Sequence, residues 1–247
     1  GVHPHTVPVQ PDGTLRPEAI EAAIRPGNVH MPVTRLIALE NTQGTVGGIP
    51  ISKVYTDEVG QLARAHGLAL HIDGARIFNA ATALNVDVAD LVAAADSVSF
   101  CLSKGLCAPV GSVLVGSREF IARAHRVRKL VGGGMRQLGV LAAAGLIALE
   151  KMTLRLAEDH ANAHRLAEGL AALPQIEIAL DHVQTNMVFF GLRPEVPVSA
   201  PELAERLKRH NVWIMDMGER RFRAVTHYWI RPQDVDHALA AIAEELS

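Results

Sequence analysis

The sequence predicts an α/β protein: a large domain built on a mainly parallel sheet, followed by a small α+β C-terminal domain. Three observations carry that expectation. Short apolar runs closed by polar residues, at 35–40, 68–73 and 97–102, alternate with amphipathic stretches, the pattern of parallel strands joined by helices. A long helical stretch at about 135–173 then interrupts the alternation, and beyond it strands and helices mix without that order. The chain of 247 residues, 49% hydrophobic and 20% charged, is long enough to bury a sizeable core. A boundary near residue 155 divides it into domains 1–155 and 156–247.

Taken in order, Pro11-Asp12-Gly13-Thr14 reads as a turn, with Thr14 as N-cap of a helix running to about Ile24. A buried strand at 35–40 gives way after Asn41 to a loop containing Gly44, Gly47, Gly48 and Pro50. A helix at 52–66 is stopped by Gly67, and the strand at 68–73 is closed by Gly74. A helix at 88–95 leads to the strand at 97–102, then Ser103-Lys104-Gly105, then a further strand at 110–115. In the second domain, strands are expected at 176–180, 186–190, 212–215 and 223–229, with helices at 200–210 and 234–246.

Charge and composition narrow the class. Acidic residues exceed Lys plus Arg, 26 against 24, so no broad basic face for nucleic acid is expected. The longest apolar run, 138–149, is too short to span a bilayer, so no membrane partner is expected. Gly1-Val2-His3-Pro4-His5 does not read as a signal peptide. Cys101 and Cys107 flank Lys104 without CxxC spacing and read as reduced thiols. The expected setting is cytoplasmic.

In open α/β sheets, ligands sit at the C-terminal ends of strands. Asp73 and Lys104 both fall there. A strand-end lysine is either an exposed loop residue or a partly buried amine. Burial disfavours the ammonium form, and the neutral amine is what condenses with a carbonyl. Asp73 either caps the next turn or pairs with a cationic ring nitrogen. Arg76, from the same loop, is either a surface ion-pair partner or a fork for a substrate carboxylate, and Arg223 has the same two readings. Gly132-Gly133-Gly134-Met135-Arg136-Gln137 reads as a glycine turn opening a helix, where backbone N–H groups, Lys129 and Arg136 meet an anion. His30 is either an ordinary exposed histidine or an acceptor for a hydroxyl proton near pH 7. His71 reads as core. No metal site is expected, because neither His3/His5 nor His160/His164 brings a third ligand.

Together and in this order the segments LENTQG (from Leu39), HIDGARIFNA (from His71), SFCLSKGLCAPVGSVLVG (from Ser99), RKLVGGGMRQLGVLAAAG (from Arg128), TNMVFF (from Thr185) and RAVTH (from Arg223) resemble the low-specificity L-threonine aldolase family. The resemblance extends over nearly the whole chain. It implies a fold-type I enzyme, a PLP-dependent transferase-like fold, using pyridoxal 5'-phosphate (PLP). By it, Lys104 would hold the cofactor covalently and Asp73 would pair with its pyridine nitrogen. Lys129 and Arg136 would lie near its phosphate across a subunit interface, in a homodimer or homotetramer with shared active sites. Arg76 and Arg223 would grip the carboxylate of an amino acid substrate, and His30 would lie near its β-hydroxyl. The implied reaction is reversible cleavage of L-threonine or L-allo-threonine to glycine and acetaldehyde.

Family sequences begin well before the residue that matches Gly1, so the chain is expected to be an incomplete record, a processed chain or a fragment. A catalytically inactive fragment is one alternative. Another fold-type I lyase, β-eliminating aromatic or sulfur amino acids, is the other, with GGGMRQ and the 4% aromatic content leaning against it.

Overall fold

The computed structural model describes residues 2–247 in two compact units. One takes in the chain up to Gly44 together with Pro50–Leu154; the other comprises Thr45–Ile49 and Arg155–Ser247.

The first unit contains α1 (Pro17–Ala23), β1 (Leu36–Glu40), α2 (Lys53–Ala65), β2 (Ala69–Asp73), α3 (Ile77–Leu84), α4 (Val88–Leu91), β3 (Ser97–Cys101), β4 (Ser112–Gly116), α5 (Arg118–Leu130) and α6 (Gly139–Lys151). Its sheet has the order β1-β2-β3-β4. The first three strands are parallel and β4 runs antiparallel to β3. Side chains alternate between the faces of a strand. Ile37, Leu39, Leu70, Ile72 and Val98 are therefore buried against Ile20, Val59, Ala63, Ile77, Ala80 and Leu91 of the helices. The other face carries Ala38, Glu40, His71 and Asp73, none of them buried. Parallel strands covered on both faces are apolar throughout; here the polar face ends at the strand C-termini.

Local chemistry corrects several expected boundaries. The first helix begins at Pro17 with Arg16 as its N-cap, not at Thr14. Thr14 instead donates its backbone N–H and its hydroxyl to Asp12, at 3.0 and 2.7 Å, which closes the preceding turn. Proline suits the first helical position because its missing N–H has no intrahelical partner there. The helix expected at 88–95 is the single turn Val88–Leu91, and α3 and α5 are helices the sequence reading passed over.

The second unit contains α7 (Leu156–Ala171), β5 (Ile176–Glu177), β6 (Met187–Leu192), α8 (Ala200–Leu207), β7 (Met215–Asp216), β8 (Arg221–Val225) and α9 (Pro232–Glu245). Its sheet, ordered β5-β6-β8-β7, is antiparallel throughout. Leu170, Leu203, Leu207 and Ile242 pack on Val188, Phe190 and Phe222 in its core. The rings of Phe190 and Phe222 stack at 4.9 Å. The last strand ends at Val225 rather than Trp229. Thr226 turns inward there and donates its hydroxyl to the Asp159 carbonyl at 2.6 Å. Among the described residues, no helix is long and apolar enough to cross a membrane.

Candidate functional site

The C-terminal ends of β1, β2 and β3 bring four charged side chains of the first unit together. Glu40 is the last residue of β1 and pairs in register with Asp73, the last residue of β2, which in turn pairs with Ser99. Arg76 follows at the start of α3, and Lys104 lies in the loop after β3. Asp73, Lys104 and Arg76 all act electrostatically on Glu40. Burial of Glu40 raises its pKa above the usual glutamate range. The Gly44 backbone N–H pulls the other way, Asp73 adds to the rise, and Lys104 and Arg76 oppose it.

Gly74 explains how the chain turns so tightly after Asp73. Its N–H donates to the Ser99 carbonyl at 2.7 Å, and a Cβ at this position would stand 3.0 Å from that same oxygen. Asp73 accepts the Ala75 N–H on Oδ1 at 3.2 Å. Its Oδ2 takes no hydrogen bond among the described residues. The two readings of Asp73 are therefore compatible: one oxygen braces the turn and the other faces outward.

Of the two readings of Lys104, the exposed loop residue is the one observed: the side chain is exposed rather than partly buried. The turn after β3, closed by the Cys107 N–H donating to the Lys104 carbonyl at 2.9 Å, carries the lysine beyond the covered face of the sheet. His71, read as core, is half-buried on the polar face. Its ring pairs with the Ser97 hydroxyl at 2.9 Å and lies 3.5 Å from that of Ser99.

The glycine run also departs from expectation. It ends α5 rather than opening a helix: the Gly132 and Gly133 N–H groups donate to the carbonyls of Lys129 and Arg128, at 3.2 and 2.7 Å. Gly132, at φ +93°, takes the left-handed conformation usual after a helix C-terminus. The next helix starts only at Gly139. No helix N-terminus is therefore aimed at an anion here. Lys129 and Arg136 are both exposed, and the Lys129 side chain lies over Gly134.

His30 is exposed in the turn after Asn28, whose Oδ1 accepts the His30 backbone N–H at 2.9 Å. Its ring makes no hydrogen bond or ion pair with the strand-end residues. Arg223 belongs to β8 of the second unit. Its Nη2 lies 3.2 Å from the Met215 sulfur, and its buried Nε has no hydrogen-bond partner among the described residues. An orphaned guanidinium donor is a candidate for an anionic ligand.

Sequence reasoning passed over Glu40 and Thr42, although both lie in the LENTQG segment. Thr42 is 3% exposed and its hydroxyl has no partner among the described residues. The available signal was a run of polar residues directly after an apolar strand.

A parallel sheet with a carboxylate at one strand end and an amine in the loop after the next strand is the arrangement expected of a fold-type I PLP enzyme. The residues present fit that cofactor. Lys104 offers an amine for its aldehyde, Asp73 a carboxylate for its ring nitrogen, and Thr42 a buried hydroxyl lacking a partner. The family model described as Beta-eliminating lyase matches residues 1–192. The chain is 48% identical over 242 residues to probable low-specificity L-threonine aldolase 2 of Arabidopsis thaliana, covering 97% of this chain and 68% of that protein. It is 39% identical to the low specificity L-threonine aldolase of Escherichia coli strain K12, covering 92% and 69%. The solved structure of Leishmania major threonine aldolase superposes with a TM-score of 0.74 at 20% identity, over 96% of this chain and 69% of that one. The chain thus belongs to the Beta-eliminating lyase family, alongside its threonine aldolases, and spans about two thirds of the length of these relatives. The family depends on PLP.

Proposed function

We propose that this chain cleaves L-threonine and L-allo-threonine reversibly to glycine and acetaldehyde, with PLP as cofactor. The observation that carries the reading is the placement of Asp73 at the end of β2 and of Lys104 in the loop after the neighbouring β3, in a chain so similar to threonine aldolases.

Lys104 is assigned the cofactor aldehyde and Asp73 the ring nitrogen. When bound, PLP supplies an electron sink for the pair released from the substrate Cα. Arg76 and Arg223 are assigned the substrate carboxylate on the family resemblance, supported for Arg223 by its unpartnered Nε. A guanidinium fork fixes a carboxylate in two directions, and that fixes which Cα bond is aligned to break. His30, or a water it positions, takes the β-hydroxyl proton. The C–O bond then becomes C=O as Cα–Cβ breaks, acetaldehyde departs, and a proton returned to Cα completes glycine. Lys129 and Arg136 are assigned the phosphate, reaching across a boundary between subunits of a homodimer or homotetramer. Residues 156–247 form the small domain of the enzyme, and the setting is cytoplasmic.

The test is acetaldehyde release from both substrates with added PLP, by the full-length protein and by Lys104→Ala. Release is expected from the parent, with the variant at the blank and its visible cofactor band lost. A band that survives Lys104→Ala, or pyruvate formed from serine or cysteine in place of acetaldehyde from threonine, would overturn the reading.

A further inference from the structure

Arg223, the carboxylate ligand assigned to the second unit, makes its side-chain contact with a sulfur rather than an acid. We propose that Met215 is a positioning residue, whose thioether directs the Arg223 guanidinium without neutralising it and gives way to the substrate carboxylate. The inference rests on the role given to Arg223 above, and not on which bond is cleaved.

Strand register sets the pair. Met215 lies on β7, the edge strand of the antiparallel sheet, directly opposite Arg223 on β8; on the other side of Arg223, Phe189 of β6 lies opposite it. Directly opposed residues project from one face of a sheet, with Cβ atoms about 5 Å apart. This face is the reverse of the one that carries Val188, Phe190 and Phe222 into the core. Half-buried Arg223 thus stands between a phenylalanine and a methionine, and its Nη2 donates to Met215 Sδ at 3.2 Å.

The kind of acceptor matters. Arg155 and Arg165 of the same unit meet Asp159 and Asp236, each at 2.7 Å, while Arg206 meets Glu202 and Arg209 meets Glu245. Arg223 has no ion pair among the described residues, and its buried Nε has no hydrogen-bond partner there. A thioether is a neutral and weak acceptor. It gives Nη2 a direction, leaves the positive charge whole, and is displaced at little cost when an anion arrives. A carboxylate at position 215 would occupy the fork, and a hydrocarbon would leave Nη2 undirected. Met215 is 54% exposed, so packing makes small use of its bulk. Its unbranched side chain has three rotatable bonds, enough to swing aside as the substrate binds.

The experiment uses the full-length protein loaded with PLP. Glycine binding is read from the change in cofactor absorbance, PLP affinity by titration of the apoprotein, and Tm by circular dichroism. Met215→Leu keeps the bulk and removes the acceptor. It should weaken glycine binding and raise the KM for L-threonine about threefold, the lower end of what one hydrogen bond contributes. Its Tm should stay within about 2 °C of the parent, and its PLP affinity within about twofold. Met215→Gln returns a neutral acceptor and should recover the loss. Met215→Glu should weaken glycine binding about tenfold or more, because its carboxylate takes the fork. In an Arg223→Lys background, where the fork is gone, Met215→Leu should have no further effect; a packing role would add its loss in both backgrounds. Parent-like glycine binding in Met215→Leu would overturn the proposal. So would a loss that Met215→Gln does not recover, or one that persists beside Arg223→Lys. If Arg223→Gln binds glycine as the parent does, the role of Arg223 fails and that of Met215 with it. If the parent binds glycine yet releases no acetaldehyde, the aldolase reading fails while the glycine measurements still decide the role of Met215.

Discussion

At the scale of single residues, the polar positions of this chain are decided by what holds each atom rather than by residue type. Asp73 braces a turn with one oxygen and leaves the other open, whereas Asp159 is wholly buried and paired to Arg155 at 2.7 Å. His160, next to it on α7, is buried, and desolvation lowers its pKa from 6.5 to about 4; Asp159 opposes that fall and His164 adds to it. A histidine kept neutral by the fold binds its proton more readily when the chain is unfolded. Its contribution to stability is therefore complete above about pH 6.5, the ordinary histidine value, and is lost as pH falls toward its folded value. Denaturant titrations near pH 7.5 and near pH 5 should show the parent losing more stability on acidification than His160→Gln. Equal losses would mean that His160 does not titrate in this way.

Among the elements, α2 and α5 have the same length and differ in how far the sequence announced them. The first has Ser52 at its N-cap, accepting the Tyr55 N–H at 3.2 Å, and buries Thr56, Val59, Gly60 and Ala63 along one stripe. Ser52→Ala removes that acceptor and should cost about 1 kcal/mol in denaturant unfolding, with Ser52→Gly costing less. No change on Ser52→Ala would place the stability of α2 in its packed stripe alone. By contrast, α5 buries no residue, although Phe120, Ile121, Ala124 and Val127 recur at helical spacing that the sequence reading passed over. The site divides in the same way. Asp73 and Lys104 were legible because the first ends an apolar strand and the second follows one closely, in the loop after β3. The turn that lets α3 follow Asp73 depends on the absent Cβ of Gly74 beside Ser99, a contact between strands that no local pattern reveals. Glu40 was hidden for a related reason: its neighbours arrive from β2, α3 and the loop after β3.

For the molecule as a whole, two units with separate buried clusters among the described residues, two in the first and one in the second, carry two different kinds of sheet. In the first unit, Leu70 packs with Ile37, Leu39, Val59 and Ala63 beneath parallel strands. In the second, Leu203 lies in a larger cluster with Leu207, Val188, Phe190 and Phe222 on an antiparallel sheet. The alternation of strand and helix made the first legible. The second was visible as a change of pattern, while its strand ends were not, because Thr226 ends β8 by a hydrogen bond to the distant Asp159. Truncating either leucine leaves a cavity that costs about 2–5 kcal/mol locally, and local opening follows cooperative units rather than the chain as a whole. Leu203→Ala should therefore speed amide hydrogen exchange in α7, β6, α8 and α9 and leave β1, β2 and β3 at parent rates. Leu70→Ala should do the reverse, sparing the antiparallel sheet. Hydrogen exchange read by mass spectrometry separates the two patterns. If either variant loosens both sheets equally, the two cores open as one cooperative body, and the strand-end cluster draws its rigidity from the whole chain rather than from the parallel sheet that carries it.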